Sequence, residues 1–272
     1  MNIFLHRRLL FYNVKRFHLV EFQDYNWFPR KVREGITDYL RFFISLFQLY
    51  SPVAKALKDT LEITGEQEIT DLCSGGGGEI INIAKELDKI TGKKYKITLT
   101  DKFPNLPSFE YIRKSSDNRF AFTENPIDAL TVSKNMKGLK TIFSAFHHFD
   151  FETGKKVLQN AVDNKSSIAI FDSAERKWLY ILAVLFSTVF FMFFCTPFFK
   201  PFKLSRIIFT YVIPMIPVFG LWDGIISMLR IYTPDELMQM AMETNSNHYK
   251  WKSGLLKNKI GTNVTYLIGY PL

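Results

Sequence analysis

The chain is poor in cysteine, with two in 272 residues, Cys73 and Cys195, far apart in the sequence. So sparse a pair excludes a disulfide framework and makes a reducing, cytoplasmic setting the default expectation. The five histidines are scattered and there is no cysteine cluster, so no metal site is expected. No internal repeat or low-complexity tract is present, which removes solenoids and arrays. Acids are missing before Glu21, while Arg7, Arg8, Lys15 and Arg16 stand among Ile3, Phe4, Leu9, Leu10, Phe11, Val14 and Phe17. The longest apolar run there, Leu9–Tyr12, is too short for a signal-peptide core. Residues 1–20 therefore predict a basic amphipathic helix, either lying on an anionic membrane or packed on the domain.

What is abundant is apolar and basic. The apolar share is 47%, with 27 phenylalanines, and the net charge is +9. A chain of this length can bury a large core, and the basic balance suggests an anionic partner, either nucleic acid or acidic headgroups.

The organising stretch is Glu68-Ile-Thr-Asp-Leu-Cys-Ser-Gly-Gly-Gly-Gly78. It predicts a buried strand (Ile69–Cys73), a glycine turn, and a helix with Ile80, Ile81, Ile83, Ala84 and Leu87 on its apolar face. Consecutive glycines suit a sharp turn or a close approach to a ligand held at a helix N-terminus. A second strand, Tyr95–Thr100, ends in Asp101, where a carboxylate can accept hydrogen bonds from ribose hydroxyls. A dinucleotide site would carry a third glycine three residues after Gly77. Ile80 stands there instead, which favours a nucleoside ligand without phosphates.

Asp71-Leu-Cys-Ser-Gly75-Gly-Gly77-Gly resembles the first motif of class I S-adenosylmethionine-dependent methyltransferases, D-x-G-x-G-x-G, with Cys73 in place of the first glycine. Leu99-Thr-Asp101 resembles the second motif. Asn125-Pro-Ile-Asp128-Ala resembles the third, where an acid meets the adenine amino group. Ile142–Phe149 is similar to the fourth-strand segment, which often ends in paired histidines. The motifs run in family order across residues 68–149.

The resemblance implies an α/β fold: a Rossmann-like seven-stranded sheet closed by an antiparallel pair, with N-terminal helices before it. It also implies S-adenosylmethionine as cofactor, held by Asp71, Cys73, Gly75, Gly77, Asp101, Asp128 and Phe146. His147 and His148 are candidates for a catalytic base, or line the cofactor. Asp172 and Glu175, after the fifth strand, could orient an acceptor. Tyr25, Trp27, Phe28 and Tyr39 are candidates for a lid.

Further strands are expected at Arg119–Thr123, Lys140–Phe146, Ser167–Asp172, Tyr249–Leu255 and Asn263–Tyr270, with helices at Val32–Leu57 (broken at Pro52), Phe109–Arg113 and Phe151–Ala161. Residues 178–199 carry no charge over 22 positions, long enough to span a membrane. Ile207–Trp222 is shorter and interrupted by Pro214, Pro217 and Gly220. The two runs predict a hydrophobic helical insertion before the last two strands. It would dip into one leaflet or roof a greasy substrate tunnel, with Lys200, Lys203 and Arg206 near headgroups. Spanning the membrane and folding as a buried soluble hairpin are the alternatives. Asp223, Ser227 and Arg230 share a helical face and point either at the active site or at surface partners.

Four regions follow: a helical cap over 1–60, a cofactor core over 61–176, the insertion over 177–232, and a helix with antiparallel strands over 233–272. The expected activity is methyl transfer to a lipophilic small molecule on the cytoplasmic side of a membrane. Nucleic acid is disfavoured as substrate, since no N-P-P-Y tetrad is present. A non-catalytic membrane adaptor with a degenerate fold is the other reading, and Cys73 is the feature in its favour.

Overall fold

The computed structural model describes residues 14–116 and 119–272. These residues form a seven-stranded sheet of order β3-β2-β1-β4-β5-β7-β6, built from β1 (Glu68–Leu72), β2 (Lys96–Leu99), β3 (Phe120–Phe122), β4 (Leu139–Phe143), β5 (Ile168–Asp172), β6 (Tyr249–Lys257) and β7 (Asn263–Pro271). The first five strands are parallel, and β7 runs antiparallel to both β5 and β6. All positions of β4 and β5 are buried, as expected of central parallel strands covered by helices on both faces. β1 pairs with β2 on one side and β4 on the other. That divergence opens a crevice at the carboxyl ends of the strands.

The expected helix over Val32–Leu57 is two helices, α1 (Arg30–Phe47) and α2 (Val53–Thr64). The break comes from Gln48, which turns left-handed at φ 47°, and Pro52 then opens α2. The glycine turn leads into α3 (Gly78–Thr91), followed by α4 (Leu106–Lys114) and α5 (Phe151–Asp163). β4 stops three residues before its expected end. Ser144 takes φ 49° and Phe146–His148 winds into a 3₁₀ turn, so neither can continue the ladder.

The insertion holds α6 (Trp178–Cys195) and α7 (Met215–Arg230), and α8 (Pro234–Met242) follows it. Thr233 opens α8 with a capping box closed by Glu236, as the Thr-Pro-Asp-Glu phrase predicts. α6 is apolar all round. Ile181, Thr188 and Met192 point inward along its whole length, and Tyr39 Oη donates to Thr188 Oγ1 at 3.3 Å. It therefore lies flat on the domain. With Phe28, Val32, Ile36, Tyr39, Phe199 and Ile216, Met192 builds a core between α1 and the insertion. Trp178–Phe198 is long and apolar enough to cross a membrane, whereas the next helical stretch, Leu204–Val212, meets Met215–Arg230 at an 82° bend.

Two expectations change here. Lys203 and Arg206 do not reach outward to headgroups. Arg206 is 1% exposed, bonds Asp38 Oδ2 and gives Nη2 to the carbonyls of Phe199 and Pro201, while Lys203 Nζ lies 2.8 Å from Asp38. Asp38 also accepts from Ser108 Oγ at 2.6 Å and Asn105 Nδ2 at 3.3 Å. The cations are drawn in because a buried carboxylate on α1 needs them. Burial in turn lowers the pKa of both Lys203 and Arg206, against the pull of Asp38.

The second change is at the N-terminus. Residues 1–13 of the expected basic helix lie outside the described residues, and 14–20 are extended rather than helical. Their hydrogen bonds go elsewhere. Val14 N–H donates to Arg176 O at 3.0 Å and Phe17 N–H to Leu229 O at 3.1 Å. Arg230 Nε and Trp222 Nε1 take the carbonyls of Leu19 and Val20. Residues 14–29 thus form a strap laid along α7.

Candidate active site

The crevice at the β1/β4 divergence holds a cavity of about 890 Å³. That is near the upper end of ordinary ligand sites. Its floor is Cys73–Gly76, one side is Asp101–Leu106 with Asp128–Leu130, and the other is Phe143–Ala145 with His148 and Phe149. The strap and α1 close it over the top with Gln23, Asp24, Trp27, Phe28, Arg33 and Thr37. Among the described residues, none of α6 or α7 is in the lining of this cavity. The insertion backs the strap and α1 from behind.

The turn explains its own glycines. A Cβ on Gly76 would sit 2.6 Å from Thr37 O, so α1 crosses the turn where only glycine fits. Gly75 faces the cavity at φ 52°, and Gly77, at φ 69°, caps α3 without reaching the lining. Cys73 also takes a positive φ, 56°, the left-handed conformation for which the family motif places glycine.

Asp101 stands at the end of β2 and accepts Gly75 N–H and Phe103 N–H, each at 2.7 Å. Burial raises its pKa, opposed by these two hydrogen bonds. Asp128 accepts Leu130 N–H at 3.0 Å and lies 3.1 Å from Lys102 Nζ. Both acids line the cavity.

Asp71 and Phe146 are placed differently from the expectation. Asp71 is buried beneath the turn, accepts from Thr141 Oγ1 at 2.8 Å, and is pushed by burial to a pKa of about 7 against hydrogen bonds from Ser74 and Thr141. Its carboxyl ties β1 to β4 and lines no cavity. Phe146 is wholly buried against Phe149 and Tyr232, because the 3₁₀ turn after β4 rolls it into the core.

The paired histidines diverge. His147 is buried, outside the lining, with Nδ1 2.9 Å from Asp172 Oδ1. His148 lines the cavity, with Nδ1 2.7 Å from Asp24 Oδ1 and 3.5 Å from Glu21 Oε2. Burial works against its charge, but Glu21 and Asp24 outweigh it and hold the ring at a pKa of about 9. Asp24 is correspondingly lowered: burial is overcome by hydrogen bonds to His148 and Arg230.

Of the lid candidates, Trp27 and Phe28 line the cavity. Tyr25 stacks on Trp27 outside it, and Tyr39 is core. Asp172 is taken by His147, and Glu175 by Lys177 and Asn263. Asp223 accepts the N–H groups of Phe22 and Gln23, and Arg230 reaches Asp24 at 2.8 Å. The shared face of Asp223, Ser227 and Arg230 therefore grips the strap. The scattered histidines predict no metal site, yet one ligand atom each from Glu21, His147 and His148 lies within 4.8 Å of the others. Sequence reasoning missed Gln23, Asp24, Arg33, Thr37 and Ser144. The one available signal was Glu21 and Asp24, two acids in an otherwise aromatic run before Pro29.

No protein-family model and no curated protein matches the chain. Among solved structures it is similar to the plantazolicin methyltransferase BpumL in complex with SAH. The TM-score is 0.53 at 13% identity, covering 92% of this chain and 93% of that one. The mitomycin 7-O-methyltransferase MmcR matches at TM-score 0.47 and 10% identity, over 77% of this chain and 50% of that one. Human N-acetylserotonin methyltransferase in complex with SAM matches at 0.45 and 13%, over 86% and 55%. This chain spans about half the length of those two. With its strand order, its glycine turn after β1 and its acid after β2, the chain has the fold of the class I S-adenosylmethionine-dependent methyltransferases.

Proposed function

We propose that the protein transfers a methyl group from S-adenosylmethionine to a lipophilic small molecule at a membrane surface. The observation that carries the cofactor reading is the convergence of Gly75, Asp101 and Asp128 on one cavity at the strand ends. The residues fit the group. Asp101 offers carboxylate oxygens to a ribose diol, and Asp128 offers one to an adenine amino group. Phe103 and Leu130 supply apolar surface for the base, and Gly75 leaves room above the turn.

Bound S-adenosylmethionine brings a methyl already activated for in-line displacement. The chain's own part is placement. Trp27, Phe28 and Phe149 make an apolar wall that excludes water and orients an acceptor beside the turn. His148 borders this wall, paired with Asp24 and Glu21.

The membrane reading is supported by α6. Leu179, Leu182, Phe186, Phe190 and Phe194 follow one another at helical spacing and face outward, Phe186 at 71% and Phe194 at 66% exposure. Phe198 and Val212 extend this face, and Lys200 is exposed beside it. A continuous apolar face of this kind is what a monolayer covers.

Calorimetric titration with S-adenosylmethionine tests the cofactor. Micromolar binding is expected, weakened by about 1–3 kcal/mol in Asp101→Asn. Failure to bind at millimolar concentration would sink the enzyme reading. For the membrane, flotation with anionic vesicles should carry the wild-type protein and leave the Phe186→Ser/Phe190→Ser/Phe194→Ser variant behind. Equal flotation of both removes α6 as the anchor.

A further inference from the structure

We propose that Glu21, His148 and His147 form a binding site for one divalent transition-metal ion of zinc-like preference, which fastens the strap to the end of β4. The donors come from two places that the fold brings together: Glu21 from the strap, and the two histidines from the 3₁₀ turn after β4. Glu21 is 0% exposed and His147 is buried. Two imidazoles and a carboxylate are a donor set suited to zinc and its neighbours.

The distances suit a shared ion. Glu21 Oε2 lies 3.5 Å from His148 Nδ1. Two ligands about 2.1 Å from one metal at a tetrahedral angle stand roughly 3.4 Å apart. Asp24 Oδ1, 2.7 Å from the same nitrogen, can supply a further oxygen. Where the metal would sit, the ring shares a proton with Asp24, and binding would replace that proton.

The surrounding groups already orient these donors. Arg230 Nη1 donates to Asp24 Oδ2 at 2.8 Å and lies 3.1 Å from Glu21 Oε1 as an ion pair without a hydrogen bond. Glu21 Oε2 and Asp24 Oδ1 are left on the His148 side. Ser227 Oγ donates to Glu21 Oε2 at 3.0 Å, and Asp172 holds His147 Nδ1. Carboxylate, hydroxyl and guanidinium partners of this kind fix ligand orientation in metal sites.

Charge points the same way. Glu21 and Asp24 stand against His148 and Asp172 against His147, with Arg230 paired to Glu21 and Asp24. Glu21 Oε1 is buried and accepts no hydrogen bond, although Arg230 stands beside it. A bound ion would lock the strap, and with it the Gln23–Phe28 side of the cavity.

The test uses the full chain without an affinity tag, stripped of metal and dialysed to equilibrium against micromolar zinc. One zinc per chain is expected, and cobalt in its place should give a visible d–d absorption band. Glu21→Gln and His147→Gln should each weaken zinc binding roughly tenfold or more, and His248→Gln, remote from the site, should leave it unchanged. Circular dichroism establishes that each variant is folded, and the cobalt band of the wild type decides the matter should either fail to fold. Zinc well below one per chain, no cobalt band, or affinity unchanged in folded Glu21→Gln and His147→Gln would each overturn the proposal.

Discussion

Two buried ion clusters hold the hydrophobic insertion to the domain, and they are built to different specifications. Around Asp38, one carboxylate receives Arg206, Lys203, Ser108 and Asn105. Around His147 and His148, three carboxylates meet one guanidinium and two imidazoles, and the cluster opens on the cavity. The first satisfies a charge that packing has buried. The second groups acids and imidazoles at the edge of the cavity. Acids, arginines and burial are common to both; the ratio of charges and the access to the cavity separate them.

The largest effect is expected at the Asp38 cluster. Asp38→Ala leaves Arg206 and Lys203 buried without their partner, so stability should fall by about 3–5 kcal/mol. Thermal melting measures this, and a loss under about 1 kcal/mol would make the cluster no more than a surface ion pair.

At Asp223, which holds the strap beside the histidine cluster, the expected signature is pH dependence. Burial, with Glu21 nearby, raises Asp223 from 3.8 to about 6, against the N–H groups of Phe22 and Gln23. A raised carboxyl contributes stability that is present below its unfolded pKa and lost as pH rises through the folded one. Between pH 4 and 7 the wild type should therefore lose on the order of 3 kcal/mol relative to Asp223→Asn. Parallel stability curves for the two proteins would show that Asp223 titrates normally and that the two clusters are alike.

The smallest effect belongs to the turn that both clusters flank. Cys73 sits at φ 56°. Cys73→Ala keeps the strained backbone and Cys73→Gly releases it, so the glycine variant should be the more stable by about 1 kcal/mol. Chemical denaturation of the pair measures the difference. The usual order, alanine above glycine, would mean that the turn stores no strain.

The strands and the glycine-turn end of the cavity were largely legible in the sequence. β1, β2 and β5 lie within two residues of their expected ends, because central parallel strands are short, continuous apolar runs bounded by turn residues. Gly75 and Asp101 line the cavity because each stands just past a strand end, and Asp128 lines it from the turn after β3. Asp71 and Phe146 have the same local signal but face the other way. Which side of a turn reaches a cavity depends on Thr141 and Tyr232, residues far away in the chain.

The amino-acid sequence by itself determined the alternation of strands and helices, the glycine turn, the acids at successive strand ends and an apolar stretch long enough for a membrane. These depend on residues within a few positions of one another, where periodicity and backbone preference act. Only the tertiary structure decided that Arg206 turns inward to Asp38, 168 residues away, and that Arg230 grips Asp24 across 206. It alone brought Glu21 beside His148. Such pairings have no local signature: a charge is taken out of water only when the folded chain supplies its partner, and that partner is chosen by packing.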